Sequence, residues 1–230
     1  MPKIDGAYAI VVAGGGGTRF GGDVPKQFIN LGDMPVMFHS IVKFADSPLI
    51  DGIVLVAPPA YQNFCREWAS KFGIGKITAI VTGGETRQAS VFSGLTATPE
   101  NCAIVLVHDG ARPFVTAESI SDVITKARKH SAATLAIQST DTIKLSDGGI
   151  ITQTMPRENL YMIQTPQAFC RHTLGNAHKA ADGLAAYDDC HLVEKIGISP
   201  AIVQGGPKNI KITYDIDFIV AQTILKGGAV

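Results

Sequence analysis

Four consecutive glycines close a short apolar run near the N-terminus, in the order Ala13-Gly14-Gly15-Gly16-Gly17-Thr18-Arg19-Phe20-Gly21. Glycines at the end of a strand let backbone N–H groups approach phosphate oxygens, and they reach positive φ without steric cost. A glycine run alone marks many ordinary turns. Here cations sharpen it, because Arg19 follows the run at once and Pro25-Lys26-Gln27 comes shortly after. A triphosphate needs backbone donors together with fixed positive charge, which arginine supplies as a planar fork and lysine as a point charge. The pattern therefore points to nucleotide phosphates. No Gly-Lys-Ser/Thr follows the run, so it is not a Walker loop. A G-x-G-x-x-G pattern can be laid on it, and Asp33 lies at about the right distance downstream. That aspartate sits in the turn Leu31-Gly32-Asp33-Met34-Pro35, whereas a dinucleotide fold wants an acid ending its second strand, and Val54-Leu55-Val56-Ala57-Pro58-Pro59 offers none.

Other residues able to do chemistry are scattered downstream. Asp109 follows an apolar run at its carboxyl end, where loops of α/β proteins often carry function. Asp188-Asp189 with Glu194 has the look of a metal trio, but an aspartate pair ahead of an apolar helix reads better as a cap. His108 and Cys190-His191 read as structural. The four cysteines, Cys65, Cys102, Cys170 and Cys190, form no CxxC pair, so neither a zinc site nor a disulfide framework is indicated.

The elements that must position these residues alternate. Strand-length apolar runs occur at Ala7–Val12, Gly52–Ala57, Lys76–Val81, Ala103–Val107, Ala133–Gln138 and Ala201–Gln204. Amphipathic helix-length stretches lie at Pro35–Ala45, Ala60–Phe72, Arg87–Thr96, Thr116–His130, Arg171–Asp182, Asp188–Ile196 and Ile216–Leu225, and Thr116 is placed to cap its helix. Near-continuous apolar strands separated by helices predict an α/β fold with a mostly parallel sheet covered on both faces, and ligands beyond the carboxyl ends of the strands. The rhythm breaks near Ser139. Asp141–Leu145 and Ile150–Met155, joined by Asp147-Gly148-Gly149, read as a β-hairpin whose apolar side has to be covered, with a second subunit as one good candidate.

The bulk numbers limit the function classes. The chain has 230 residues, 46% hydrophobic and 17% charged, as expected of a globular chain with a sizeable core. Net charge is zero, so no global field draws it to nucleic acid or an anionic membrane, and an anionic ligand has to be held by a local cluster. No apolar stretch approaches the ~18 residues of a membrane span, and the first run is too short for a signal-peptide core. The chain reads as cytoplasmic.

Taken together, Ala13–Arg19 and Pro25-Lys26-Gln27-Phe28 resemble the signature of sugar-phosphate nucleotidyltransferases. The resemblance is closest to the 2-C-methyl-D-erythritol 4-phosphate cytidylyltransferases and extends to the ribitol 5-phosphate cytidylyltransferases. It continues through Gly83-Gly84-Glu85-Thr86-Arg87-Gln88-Ala89-Ser90-Val91, His108-Asp109-Gly110-Ala111-Arg112-Pro113-Phe114 and Asp141-Thr142-Ile143-Lys144. Gln164-Thr165-Pro166-Gln167-Ala168-Phe169 and Asn209-Ile210-Lys211-Ile212-Thr213 complete it. The family often has an acidic or polar residue before the Asn-Ile-Lys motif, where this chain has Lys208.

The resemblance implies a Rossmann-like single domain over residues 1–230 with a protruding β-arm at about 139–163 that interlocks two subunits of a homodimer. It implies CTP at Ala13, Gly14, Gly15 and Gly17, with Arg19 and Lys26 at the triphosphate. Gly83, Gly84 and Ser90 would surround cytosine and ribose, and Asp109 would lie near the ribose and the metal-bound phosphates. Arg112, Thr142, Thr165, Arg157 and Lys211 would serve the acceptor, Thr142 and Arg157 reaching from the arm into the partner's site. Mg²⁺ would travel with CTP, with Asp109 its one protein contact. An acceptor phosphate is already largely dianionic at neutral pH, with a second pKa of about 6, so it needs no side-chain base to attack the α-phosphorus. Catalysis of this kind rests on positioning and charge stabilisation, for which Arg19, Lys26, Arg157 and Lys211 are the catalytic candidates. The acceptor remains open between methylerythritol 4-phosphate and D-ribitol 5-phosphate. A protein that binds nucleotide without turning it over is the non-enzyme alternative.

Overall fold

The computed structural model describes residues 4–14, 24–181 and 185–227. Its elements run β1 (Ile4–Val12), β2 (Asn30–Leu31), β3 (Met34–Pro35), α1 (Val36–Asp46), β4 (Ile50–Val56), α2 (Gln62–Lys71), β5 (Ile77–Val81), α3 (Arg87–Thr96) and β6 (Cys102–Asp109). They continue α4 (Ala117–His130), β7 (Ala132–Gln138), β8 (Lys144–Asp147), β9 (Ile150–Thr154), β10 (Tyr161–Cys170), α5 (Arg171–Ala180), α6 (Asp189–Glu194), β11 (Ala201–Gln204) and α7 (Asp215–Lys226).

Seven strands form one sheet in the order β11-β7-β10-β6-β1-β4-β5. All neighbours are parallel except β10, which runs antiparallel to both β6 and β7. The sheet is thus Rossmann-like and mostly parallel. The alternation of side chains explains why its strands read as unbroken apolar runs. Ala9 and Val11 of β1, Ile53 and Leu55 of β4, and Ile104 and Leu106 of β6 join a core with Phe38 and Ile41 of α1 and Ile120 and Ile124 of α4. Their neighbours Tyr8, Ile10, Val54, Val56, Val105 and Val107 join a second core on the opposite face, with Val91 of α3, Leu174 of α5 and Leu192 of α6.

Two differences from the sequence reading matter. β6 extends through His108 and Asp109, so these residues belong to the strand itself and not to the loop after it. β10 was not anticipated at all. It carries Gln164, Thr165, Gln167 and Pro166 inside the sheet, a composition that argues against a central strand. Hydrogen bonds satisfy the buried polar groups: Gln164 Nε2 donates to Gly206 O at 2.9 Å, and Gln167 Nε2 to Asp188 Oδ2 at 2.7 Å. Its register with β7 is broken between Ile163 and Gln167, with residues on both sides of the break paired to β7 in the sheet.

The hairpin forms, but its first strand is Lys144–Asp147 where Asp141–Leu145 was expected, and Gly148 and Gly149 make the turn at φ of 53° and 84°. Every residue of β8 and β9 is exposed. Thr116 caps α4 by accepting the Ser119 N–H, and Asp188 caps α6 by accepting the His191 N–H. α5 is described to Ala180, short of the expected end at Asp182, which lies outside the described residues.

Candidate active site

The site is built where β1 and β6 end side by side. Val12 is paired with Asp109, and Gly110 N–H donates to Val12 O at 2.9 Å, so the glycine-rich turn starts beside the Asp109 carboxylate. Gly15, Gly17 and Arg19 lie outside the described residues; Ala13 and Gly14 lie within them. A Cβ added at Gly14 would stand 3.2 Å from Ser90 Oγ, and one at Gly83 would stand 2.7 Å from the same atom. Gly14, Gly83, Gly84 and Ser90 therefore converge, with Ser90 Oγ donating to Gly84 O at 3.3 Å. α3 opens next to them, capped by Thr86, which accepts the Ala89 N–H at 3.0 Å.

Lys26 stands on a short 3-10 turn, Lys26–Phe28, fixed from two sides. Gln27 is buried, and its Nε2 donates to Ala13 O at 2.7 Å, which staples the turn to the root of the glycine run. Phe28 stacks on Tyr61 with ring centroids 4.1 Å apart and meets Phe64 edge-on.

Asp109 is the electrostatic centre. Arg87 Nε lies 3.1 Å from its Oδ1 and Lys211 Nζ 2.7 Å from its Oδ2. Burial raises the pKa of its carboxyl, but the Arg87 and Lys211 charges outweigh that and hold it well below the usual carboxylate range. Arg87 also reaches across to Asp189, Nη1 to Oδ2 at 2.7 Å. Asp189 is fully buried, and burial raises its pKa. His178 Nε2 lies 3.8 Å from Asp189 Oδ1, and neither atom has a hydrogen-bond partner. Burial, then the neighbouring Arg87, pushes the His178 imidazole down to about 4, so this contact joins a neutral ring to a carboxylate and is not an ion pair.

Arg112 gives Nη1 to Asn209 O at 2.8 Å and Nη2 to Ile163 O at 3.4 Å, both backbone carbonyls, and its Nε is buried without a partner. Its charge is thus not matched by a directly bonded carboxylate. Thr165 Oγ1 accepts the Asp109 N–H at 3.0 Å and lies 3.1 Å from His108 Nδ1. Arg87, Asp109, Arg112, Thr165 and Lys211 all line one open cavity of about 610 Å³. Thr142 and Arg157 sit on the exposed arm and do not line it. Three cations, Arg87, Arg112 and Lys211, meet the Asp109 carboxylate there and can hold anions, with Asp188 and Glu194 also in the lining; Cys190 and His191 line the cavity too, but His191 Nδ1 accepts the Tyr187 N–H at 3.4 Å.

A metal ion has one obvious protein donor here. Among the described residues no group of three His, Cys, Asp or Glu side chains is placed to hold a metal. Mg²⁺ keeps several waters and uses one or two carboxylates with substrate phosphates. The single carboxylate of Asp109, whose oxygens keep lone pairs beyond those given to Arg87 and Lys211, fits that habit.

Sequence reasoning placed Arg87 and Gln27 in motifs without giving them a role, and read Asp189 as part of a cap. A signal for Arg87 was present: a cation at the first position of a helix opposes the helix dipole and needs another reason to be there.

The family model described as IspD, 2-C-methyl-D-erythritol 4-phosphate cytidylyltransferase, matches residues 7–227. The chain belongs to the 2-C-methyl-D-erythritol 4-phosphate cytidylyltransferase family. A cytidylyltransferase of that name from Desulforamulus reducens is 43% identical over 222 residues, covering 95% of each chain. A bifunctional IspD/IspF enzyme from Desulforudis audaxviator is 46% identical over 226 residues; the present chain spans 57% of that protein's length. The crystal structure of the 4-diphosphocytidyl-2C-methyl-D-erythritol synthase from Anaerococcus prevotii superposes with a TM-score of 0.87 at 31% identity, covering 96% of both chains. With cytidylyltransferases of the methylerythritol type on every side, the ribitol alternative is not favoured.

Proposed function

We propose that the cavity at the end of β6 is where CTP and methylerythritol phosphate meet. The chain is a cytidylyltransferase of isoprenoid precursor synthesis, transferring CMP from CTP to 2-C-methyl-D-erythritol 4-phosphate with release of pyrophosphate. The observation that carries the site assignment is the cluster of Arg87, Lys211 and Arg112 around Asp109, beside the glycine-rich turn. An oxygen of the acceptor phosphate forms the new bond to the α-phosphorus, and the bond from that phosphorus to the bridging oxygen breaks. The leaving group carries away the displaced electron pair as pyrophosphate.

In this reading Gly14, Gly15 and Gly17 offer backbone donors to the triphosphate, and Ala13, whose own N–H donates to Val56 O at 2.8 Å, anchors the root of the run beside it. Arg19 and Lys26 bind it and stabilise the charge that builds up as pyrophosphate departs. Gly83, Gly84 and Ser90 border base and ribose, and a Cβ at either glycine would collide with Ser90 or Ala89, so the backbone can pass this close to α3 only as glycine. Lys211, with Arg112 behind it, draws in the acceptor phosphate. Mg²⁺, touching Asp109, would neutralise triphosphate charge when bound. Residues 1–230 act as one domain whose arm, at about 139–163, closes on a second copy and delivers Thr142 and Arg157 to that copy's site. The exposed Ile150 (72%) and Ile151 (63%) supply the apolar surface for this. A cytoplasmic location, with neither nucleic acid nor membrane as partner, accords with the neutral charge; no helix among the described residues is long and apolar enough to cross a membrane.

The test is pyrophosphate release from CTP and Mg²⁺ with methylerythritol 4-phosphate, run beside D-ribitol 5-phosphate. Release with the former alone is expected. Lys26→Ala should lower kcat roughly 10²–10³-fold, the scale of losing one preorganised charge donor. Unchanged turnover in that variant would remove Lys26 from the reaction.

A further inference from the structure

Behind Asp109 and Arg112 lies a closed ring of hydrogen bonds in which the direction of each bond can be assigned, although Arg112 Nε and Asn209 Oδ1 are buried without a partner. His108 is fully buried, with its ring edge-on to Phe44 at 5.1 Å. Its Nε2 is 3.0 Å from Arg112 O. A carbonyl oxygen only accepts, so Nε2 carries the hydrogen. No carboxylate touches the ring, and a neutral imidazole has a single N–H, which leaves Nδ1 as a bare acceptor. Nδ1 lies 3.1 Å from Thr165 Oγ1, so the Thr165 hydroxyl donates to it. The same oxygen accepts the Asp109 N–H at 3.0 Å. On the far side, Arg112 Nη1 donates to Asn209 O at 2.8 Å, and Asn209 Nδ2 donates back to Thr165 O at 2.9 Å. The ring thus runs through β6, the loop after it, β10 and the loop that carries Lys211 two residues beyond Asn209.

The consequence concerns Thr165, whose one hydroxyl proton is already committed. We infer that His108 and Thr165 form a single positioning pair that sets Asp109 and Arg112, and that the Thr165 hydroxyl does not itself donate to the acceptor phosphate. This rests on the reading of the cavity as the acceptor site. A positioning pair acts as a unit, so removing either member costs nearly what removing both does; a direct ligand and an unrelated core histidine would act additively.

The experiment is a double-mutant cycle of Thr165→Val and His108→Phe, with Thr165→Ser as the conservative control and thermal unfolding to confirm folding of each variant. Each single variant should lower kcat roughly 10- to 100-fold, the cost of a misplaced site, and the double variant should fall little further. Thr165→Ser should recover most of the loss. A Thr165→Val variant that raises only the acceptor KM, with additive behaviour in the double variant, overturns the inference in favour of direct contact. If His108→Phe does not fold, long-range nitrogen NMR of the wild-type imidazole decides the point without turnover. Hydrogen on Nε2 with bare Nδ1 is expected, and the opposite tautomer breaks the ring. Because the NMR reads the ring and wild-type pyrophosphate release reads the cavity assignment, the two can fail separately.

Discussion

The end of β6 and the β8–β9 arm both carry residues expected in the reaction, and they hold them in opposite ways. All but Ala103 of β6 is buried, and its last two residues are fixed by bonds to β1, to Thr165 of β10 and, through Asp109, to Lys211. The arm is exposed at every strand residue, and among the described residues its strands pair only with each other. Within one chain, then, charge can be placed either by a strand buried between neighbours or by a ribbon that brings its side chains to another surface. The first is preorganised before any ligand arrives; the second depends on what it docks against.

The largest expected effect comes from breaking the buried side of this contrast. Asp109→Asn keeps the shape but removes the charge between Arg87 and Lys211, and kcat/KM for pyrophosphate release should fall roughly 10²–10³-fold. Losing charge-assisted bonds should also cost about 1–3 kcal/mol in thermal unfolding. Because the folded state holds this carboxyl below its ordinary range, its contribution is complete above that range and is lost as pH falls through the lowered value. A variant with wild-type stability and rate would show that the corner is not preorganised by charge.

A middle-sized effect tests the arm. Ile150→Ser with Ile151→Ser should shift the sedimentation of the protein from dimer to monomer, while intrinsic unfolding moves by no more than about 0.5 kcal/mol, as for surface positions. A dimer that survives the pair of substitutions would place the subunit contact elsewhere.

The smallest effect sharpens the buried side again. Burial pushes His108 and His178 down to about 4, so the unfolded chain takes up protons that the folded chain refuses. Stability should therefore decline as pH falls from about 6.5, the ordinary imidazole value, to about 4. His178→Gln should flatten that decline without abolishing it, as read by the melting temperature across this interval; an unchanged slope would mean that His178 is protonated in the folded state.

The same contrast governs what the sequence disclosed. The parallel strands and their helices were legible because both faces of the sheet are covered, which makes each strand an apolar run of the right length. The hairpin was legible from Asp147-Gly148-Gly149. β10 was not, because Gln164, Thr165 and Gln167 become acceptable inside a sheet only through partners distant in the chain, such as Gly206 and Asp188. Arg87 and Asp189 escaped for the same reason: 102 positions separate two side chains that touch at 2.7 Å. The capping reading of the aspartate pair fits Asp188 and misses Asp189, and nothing local tells the two apart.

The place of β10 also bears on how the chain is made. β6 pairs with β1 on one side and β10 on the other, while β7 pairs only with β10 and β11. On the ribosome, β6 emerges with one flank satisfied and waits for the roughly sixty residues that precede the end of β10. At typical synthesis rates that is about 3–12 s during which an apolar strand that ends up buried is an open edge. The residues made in that interval include the arm, whose own strands are polar enough at Ser146, Asp147, Thr152 and Gln153 to be poor substitutes for β10. The nascent chain is therefore at its most vulnerable to wrong strand pairing just before its active site can close, and a chaperone that shields extended segments would matter most in that window.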